Sequence, residues 1–317
     1  MRSWCIFDPD LITDILKSAD FVVVDYAGEY AKLEQRTHMD WTVLIDALHH
    51  IPLANEGEHH SKLRRDFARL ISARSAATKK PVGELVAKTV PAVFRAGRSA
   101  ELVQELIRPI NDALFTGLIG ARVPDYSSAP SASQLLDRFL GLNRRKRVQS
   151  EIVRLSKSFS EQNPATSVQY ATALMQVGYD SVLGSLGNSL VALLGEGAGS
   201  RLCDLAYPDS LPRTGVPYVE RVAKKDCAIQ GSNIRAGDRV RLILEACPAR
   251  GHAGEEAPFF GKGRHLCVGK ELSQWLWRIL AQELAKVRLK VRITQARLRP
   301  NDYVFSVYES IEVSIHE

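Results

Sequence analysis

One stretch of this 317-residue chain concentrates chemistry: "FFGKGRHLCVGK", Phe259 to Lys270. Cys267 stands two residues after His265, in a loop punctuated by Gly261, Gly263 and Gly269, and an amphipathic helix begins directly afterwards. A thiolate is costly to bury. The start of a helix lowers that cost, because free backbone N–H groups and the helix dipole both favour negative charge there. The glycines permit tight turns and leave the sulfur unobstructed. Four readings follow from the residues alone. The sulfur can ligate a flat iron macrocycle, with Phe260 packed beside it and His265 turned to a carboxylate at the macrocycle edge. It can be a buried and inert thiol, the usual state of a lone cysteine. It can be the nucleophile of a Cys/His hydrolase, which needs partners at positions the sequence does not mark. It can join Cys247, His252 and His265 on zinc, although ligands at 265 and 267 are spaced more tightly than usual.

Two further stretches carry polar groups at helical spacing. In "EGEHHSKLRRDFARLIS", His60 and Arg64 are four apart and share a helix face. By itself this is a solvated basic helix. "MQVGYDSVLGSLGNSLVALL" places Gly178, Asp180 and Ser181 near the middle of a long apolar helix. By itself this is an ordinary core helix with a satisfied Asp–Ser pair.

The elements that must position these groups are mostly helical. Leu11, Ile12, Ile15 and Leu16 mark a short helix after Asp8-Pro9. Apolar periodicity predicts helices around Leu63 to Ile71, over 82–96 and over 101–119, with a turn at Gly97-Arg98. "PDYSSAPSAS", Pro124 to Ser133, reads as a loop, 148–160 as a polar, basic helix, and Thr166 to Leu194 as one buried helix. After Gly195 the pattern changes to a hairpin around Gly231 and Gly237, with Val240, Leu242 and Leu244 alternating. A helix over Gln274 to Lys286 buries Leu272, Trp275, Leu276, Ile279 and Leu280 on one face, and alternating segments at 289–293 and 311–315 end the pattern. No period repeats. The expectation is a single domain over 1–317, mainly α with small β-sheets.

Composition narrows the setting. The net charge of +6 is compatible with an anionic partner but is ordinary for an enzyme, and Arg144-Arg145-Lys146-Arg147 reads as a solvated helix end, so nucleic acid is disfavoured. Five scattered cysteines with no CxxC pair indicate neither a disulfide scaffold nor a zinc ribbon, and fit a reducing cytoplasm. "MRSWCIFDPD" lacks the apolar core of a signal peptide, and Val182 to Leu194 is too short and too polar to span a bilayer.

The cysteine stretch resembles the haem-binding loop of the cytochrome P450 family, F-G-x-G-x-H-x-C-x-G. Phe260, Gly261, Gly263, His265, Cys267 and Gly269 fill all six fixed positions. Such a match arises by chance with a probability on the order of 10⁻⁵, so it outweighs the other three readings. Other segments are similar to that family in the same order. The resemblance implies that His60, Arg64, Arg221 and His265 contact haem propionates. It implies that Gly178, Asp180 and Ser181 belong to the distal helix, the glycine opening a groove for dioxygen and Asp180 and Ser181 ordering water that delivers protons. Serine stands there in place of the family's threonine, and Val177 in place of a smaller residue. It implies haem b with an axial thiolate from Cys267, a small-molecule and biosynthetic substrate, and a ferredoxin-type electron donor docking near Lys262, Arg264 and Lys270.

The departures are also readable. The family's Glu-x-x-Arg pair between distal helix and pre-loop strands is missing: Glu105/Arg108 and Glu151/Arg154 have the spacing but lie upstream. The segment before the cysteine loop is short, and N-terminal sheet strands are not apparent. The expectation is therefore a shortened cytochrome P450-like fold acting as a monooxygenase. The alternatives are haem-thiolate chemistry driven by peroxide or without oxygen transfer, and a haem-free recruitment module.

Overall fold

Asp8-Pro9 opens a helix as predicted. In the computed structural model, which describes residues 2–125, 132–196, 199–229, 231–248, 257–300 and 304–317, the Asp8 carboxylate accepts the Leu11 N–H at 2.8 Å and Pro9 fills the first position of α1 (Pro9–Lys17). Next come α2 (Tyr26–Thr37) and α3 (Thr42–His49). The two helices expected around 63–71 and 82–96 are one helix of 37 residues, α4 (Gly57–Val93), which passes through Pro81 and Pro91. Each proline removes one backbone donor. The stripe Val82, Val86, Val90 and Val93 stays buried across both, and that packing carries the helix on.

A π-helical turn, Val103–Ile107, leads into α5 (Arg108–Ile119). The basic helix α6 (Leu142–Gln162) starts six residues before the expected 148. Its basic run is not a free patch. Arg145 is buried, donates to the carbonyls of Leu140 and Arg138 at 2.9 and 2.6 Å, and lies over the Tyr30 ring. The long buried helix is present as α7 (Val168–Leu174), a π-helical turn (Met175–Tyr179) and α8 (Asp180–Glu196). The helix after the cysteine loop is α9 (Lys270–Leu284). Among the described residues no helix is long and apolar enough to cross a membrane.

Contrary to expectation, strands exist near the N-terminus. β1 (Ser3–Ile6) and β2 (Phe21–Val22) join β4 (Tyr218–Ala223) and β7 (Arg239–Ile243) in a sheet of order β1-β7-β4-β2. β1 runs parallel to β7, with Ser3 opposite Arg239, and β2 runs antiparallel to β4. Strands of four and two residues are too short for alternation to show in sequence, and their partners lie more than two hundred residues away. The predicted hairpin is β5 (Cys227–Ile229) with β6 (Ser232–Ile234). The last alternating segments are β8 (Lys290–Leu298) and β9 (Tyr308–His316), which pair with each other and, through β9, with β3 (Ser99–Glu101).

The main core lies among the helices, where Trp41, Phe67, Phe159, Tyr179 and Trp277 are fully buried. A second core, including Ile12, Leu16, Phe21, Val240 and Phe259, sits under the first sheet and seats the start of the cysteine loop. Between Glu196 and Tyr218 the helical structure among the described residues is a single 3-10 turn, Leu202–Asp204. The connector that follows is pinned on both sides. The Ser185 hydroxyl accepts the Gly215 N–H at 2.7 Å, and Asn188 donates to the Thr214 carbonyl at 2.7 Å. From α9, the Gln274 side chain accepts the Leu211 N–H at 2.8 Å and the Trp277 indole donates to the Pro208 carbonyl at 2.9 Å. The serines and asparagine that interrupt the apolar run of α8 are thus its attachment points. A Cβ on Gly184 would lie 2.3 Å from the Ser306 carbonyl oxygen, so no side chain fits where the chain crosses α8.

Candidate functional site

The cysteine loop is held by its own backbone. The Phe260 carbonyl accepts the Cys267 N–H at 2.8 Å, and the Pro258 carbonyl accepts the Gly261 N–H at 2.9 Å. Gly261 and Gly263 have φ of 71° and 64°, the left-handed region that side chains disfavour. Gly269, by contrast, has an ordinary φ of −89°. A Cβ there would stand 3.8 Å from the Cys267 sulfur, in ordinary contact with it, so this glycine lies directly beside the thiol and makes no turn. The backbone N–H groups of Gly269 and Lys270, at the start of α9, point to the sulfur and favour its charged form, as does the Arg64 guanidinium. Burial outweighs them and pushes the thiol up from its ordinary value. Cys267 is nonetheless exposed by area. That area faces an internal cavity of about 300 Å³, whose wall includes the cysteine, and not the outside of the molecule.

The same cavity wall holds His60, Arg64, Arg221 and His265. The two histidine rings are in contact, with centroids 4.2 Å apart and planes tilted by 40°. The Nε2 of His60 and the Nδ1 of His265 are buried without a hydrogen-bond partner. The other nitrogen of His265, Nε2, meets Glu56 at 3.4 Å. Arg221 is buried, donates to the Glu220 carbonyl at 2.8 Å and, among the described residues, has no carboxylate within ion-pair distance. Its pKa is pulled down to about 10, by desolvation first. Two buried imidazole nitrogens without a partner and, among the described residues, a buried guanidinium without a carboxylate thus face one cavity, an arrangement that anionic edge groups would satisfy. Arg64 is partly engaged, since it donates to the Leu266 carbonyl in the cysteine loop. Gln274, Trp277 and Glu56 were not singled out by sequence. For Glu56 a signal existed: it precedes His60 by four residues, one helical turn away.

The cavity is also lined by Val177, Gly178 and Ser181. The π-helical turn Met175–Tyr179 widens the helix at this point. A Cβ on Gly178 would lie 2.9 Å from the Phe115 ring, so the glycine admits an aromatic side chain of α5 as well as facing the cavity. The Ser181 hydroxyl donates to the Gly178 carbonyl at 2.8 Å. Asp180 departs from expectation. It is fully buried, does not line the cavity, and its carboxylate is taken by Arg299 at 3.1 and 3.3 Å and by the Ser133 hydroxyl at 3.1 Å. The structure brings Gly178 and Ser181 to the cysteine cavity and keeps the acid behind the helix. The Glu151/Arg154 pair closes on itself at 2.5 Å on α6, away from the loop. Of the proposed docking cations, Arg264 is committed to the Phe21 carbonyl and to Glu56.

The other readings of Cys267 find less support. His265 turns to Glu56 and His60, not to the sulfur as a hydrolase base would. Cys247 is a buried thiol on the Ile243 carbonyl at 3.7 Å, pushed up to about 11 by burial, and His252 lies outside the described residues.

The histidine pair has a pH consequence for the haem-free protein. Burial lowers both pKa values, that of His265 to about 4 from the ordinary 6.5. Above pH 6.5 the rings are neutral whether folded or unfolded. Below it the unfolded chain binds protons that the folded rings refuse, so stability falls as pH drops below about 6.5; for His265 the fall continues toward pH 4, by up to ~1.4 kcal/mol per pH unit, and His60 adds to it in the same direction. Urea unfolding at pH 7, 6 and 5 measures this. His265→Gln is expected to flatten the slope, and an unchanged slope would refute the assignment.

No protein-family model matches the chain. Among curated proteins, a cytochrome P450, CYP105Q4 of Mycobacterium marinum, is 21% identical over 309 residues, covering 80% of this chain and 74% of that protein. Among solved structures, CalO2 aligns with a TM-score of 0.75 at 16% identity, covering 98% of this chain and 90% of its own. P450BioI, solved with an acyl carrier protein ligated to hexadec-9Z-enoic acid, aligns with a TM-score of 0.74 at 17% identity, over 99% and 92%. At these identities the structural likeness shows the fold: mainly α with small β-sheets, in the cytochrome P450 arrangement.

Proposed function

We propose that this cytochrome P450-fold chain is a haem-thiolate oxidoreductase, a monooxygenase acting on a small and largely apolar metabolite. One observation carries the reading. A cysteine at a helix N-terminus, supported by two backbone N–H groups, shares a cavity with two unpartnered imidazole nitrogens, with a buried arginine that has no carboxylate among the described residues, and with a helix widened by a π-helical turn. These residues fit haem b. Cys267 would hold the iron, and His60, His265, Arg221 and the remaining donors of Arg64 would hold the propionates. When bound, the group supplies oxygen activation, which thiolate ligation promotes.

The chain's own residues then do four things. Gly269 and Lys270 stabilise the charged sulfur, and Gly269 lies directly beside it. The two touching histidines and Arg221 would orient the edge carboxylates. Leu114, Phe115, Leu174 and Val182 on the cavity wall exclude bulk water and favour an apolar substrate. Ser181 keeps its proton on the Gly178 carbonyl, so its oxygen is an acceptor for a donor arriving in the cavity. Electrons would come from a ferredoxin-type donor approaching the cysteine side near Lys262 and Lys270.

A second reading, peroxide-driven oxidation, draws on one specific feature. The acid expected to relay protons, Asp180, is bound by Arg299 and Ser133 outside the cavity. Oxygen-dependent turnover with a reductant supports the first reading, and turnover with peroxide alone supports the second. The optical spectrum of the reduced protein with carbon monoxide tests both against a haem-free role.

The propionate assignment makes a separable prediction. Arg64→Ala and Arg221→Ala are each expected to weaken haem retention about tenfold or more, because a charge-assisted contact contributes roughly 1.5–3 kcal/mol. Arg221 is buried without a carboxylate, so its removal should leave the haem-free protein as stable as before, or more so. Retention measured by transfer to apomyoglobin, together with urea midpoints, checks both halves. Unchanged retention in both variants would refute it.

A further inference from the structure

We infer that the substrate carries a carboxylate, and that Arg138 binds it at the mouth of the cavity. The inference deepens the proposed function and rests on the same cavity. Arg138 lines the cavity that Cys267 lines, yet comes from the segment before α6, far from the cysteine loop in sequence. Its Nε is buried with no hydrogen-bond partner among the described residues. Among the described residues it has a single carboxylate within ion-pair distance, Glu220, at a loose 3.6 Å.

That carboxylate is already used. Glu220 meets Arg241 at 3.0 Å and Arg239 at 3.8 Å, and Arg239 also pairs with Glu29. Three guanidinium groups therefore share Glu220, and Arg138 holds the weaker, longer contact of a crowded set. Asp137 also lines the cavity, but its carboxylate accepts the Phe139 N–H at 2.8 Å and forms no ion pair with Arg138. A guanidinium has five donors in a planar fork that matches a carboxylate. Here most of that fork is uncommitted, on the wall of a largely apolar cavity whose other charged groups, Arg64, Asp137, Glu220 and Arg221, have the partners already described or face the cysteine side.

The surroundings specify the rest of the ligand. The Phe139 ring lies under the Arg138 guanidinium at 4.5 Å and is 66% exposed, and Leu53, also on the cavity wall, is 40% exposed. An apolar rim at the mouth, a cation just inside it and an apolar interior leading to the cysteine suit a hydrophobic carboxylic acid. Its head would stay at Arg138 while its hydrocarbon end reaches inward.

Calorimetric titration of the protein as it purifies tests this, using straight-chain carboxylates of eight to sixteen carbons and the alcohols of equal length. The optical spectrum is recorded on the same samples. The wild type is expected to bind its best carboxylate at least tenfold more tightly than the matching alcohol. Arg138→Gln should lose that preference while binding the alcohol unchanged, and Arg138→Lys should keep part of it. Equal binding of acid and alcohol by the wild type, no carboxylate binding at any length, or a preference that survives in Arg138→Gln would overturn the inference. So would loss of haem from Arg138→Gln with acid binding intact, which would place Arg138 at the haem edge. A normal carbon monoxide spectrum without acid preference would refute the carboxylate alone and leave the haem reading standing.

Discussion

Cys267→Ala is expected to lose the red-shifted Soret band of the reduced carbon monoxide complex completely. That band would need a thiolate to hold the iron, and Cys267 is the residue placed to supply it; no neutral ligand substitutes for it. No second cysteine can stand in. Cys247 faces the Ile243 carbonyl, and Cys5, Cys203 and Cys227 do not line the cavity. The alanine protein should still take up some haem, because His60, His265 and Arg221 remain. Its spectrum should resemble a histidine- or water-ligated haem. Cys267→Ser is a second check: it is nearly isosteric, and an alcohol at this position is not ionised, so the band should vanish there too. A wild type that shows no such band after reconstitution with haem would exclude the oxygenase and favour a haem-free recruitment module. The free thiol of the haem-free protein is pushed up by burial, so ligation must expel its proton. Uptake should therefore quicken as pH rises toward the thiol's range.

The second large effect concerns Trp277. This residue is fully buried on α9, the helix that begins beside Cys267, and its indole N–H holds the Pro208 carbonyl. The face expected from sequence was Leu272, Trp275, Leu276, Ile279 and Leu280. Leu272, Leu276 and Leu280 are buried as expected, but Gln274 and Trp277 are buried beside them, while Ile279 is half-buried and Trp275 is half-buried beneath Lys79. Trp277→Ala should cost about 3–5 kcal/mol as a buried aromatic is lost. Trp277→Phe keeps most of the volume and removes the donor, leaving a carbonyl unsatisfied, and should cost about 1–3 kcal/mol. Both should raise hydrogen exchange at the Leu211 amide, which Gln274 holds three residues along the connector. Gln274→Ala should do the same with a smaller loss of stability. If Trp277→Phe unfolds at the wild-type urea midpoint and the Leu211 amide stays protected, the connector is braced by its contacts with α8 alone. These contacts occupy the place where a Glu-x-x-Arg pair was expected and not found. We propose that they do its work, tying the cysteine helix to the distal helix through hydrogen bonds to backbone groups rather than through an ion pair.

What the sequence revealed follows from the range of the interactions. The cysteine loop was legible because its residues act locally: Gly261 and Gly263 are needed for their own backbone angles, and Cys267 for the N–H groups two and three residues on. His60 and Arg64 were legible as one helix face. Asp180 was legible as a residue but not in its role, because its partner Arg299 lies 119 residues away. A carboxylate at one position reads the same whether it faces a cavity or a distant guanidinium. Gly178 was read as making room for a ligand, and the structure shows the Phe115 ring using that room too. The crowding of Arg138, Arg239 and Arg241 around Glu220 depends on a loop and two strands meeting, which no local pattern announces.

The parallel pairing of β1 with β7 also sets an order of events in the cell. Ser3 waits for Arg239, 236 positions later. At roughly 5–20 residues per second of synthesis, that is roughly ten to fifty seconds during which the strand has no partner. Likewise His60 must wait for Arg221 and then for His265. The pocket therefore comes into existence only after His265 has been made. Until then the early helices hold half a site, and whatever the completed pocket takes up can be captured only after that point.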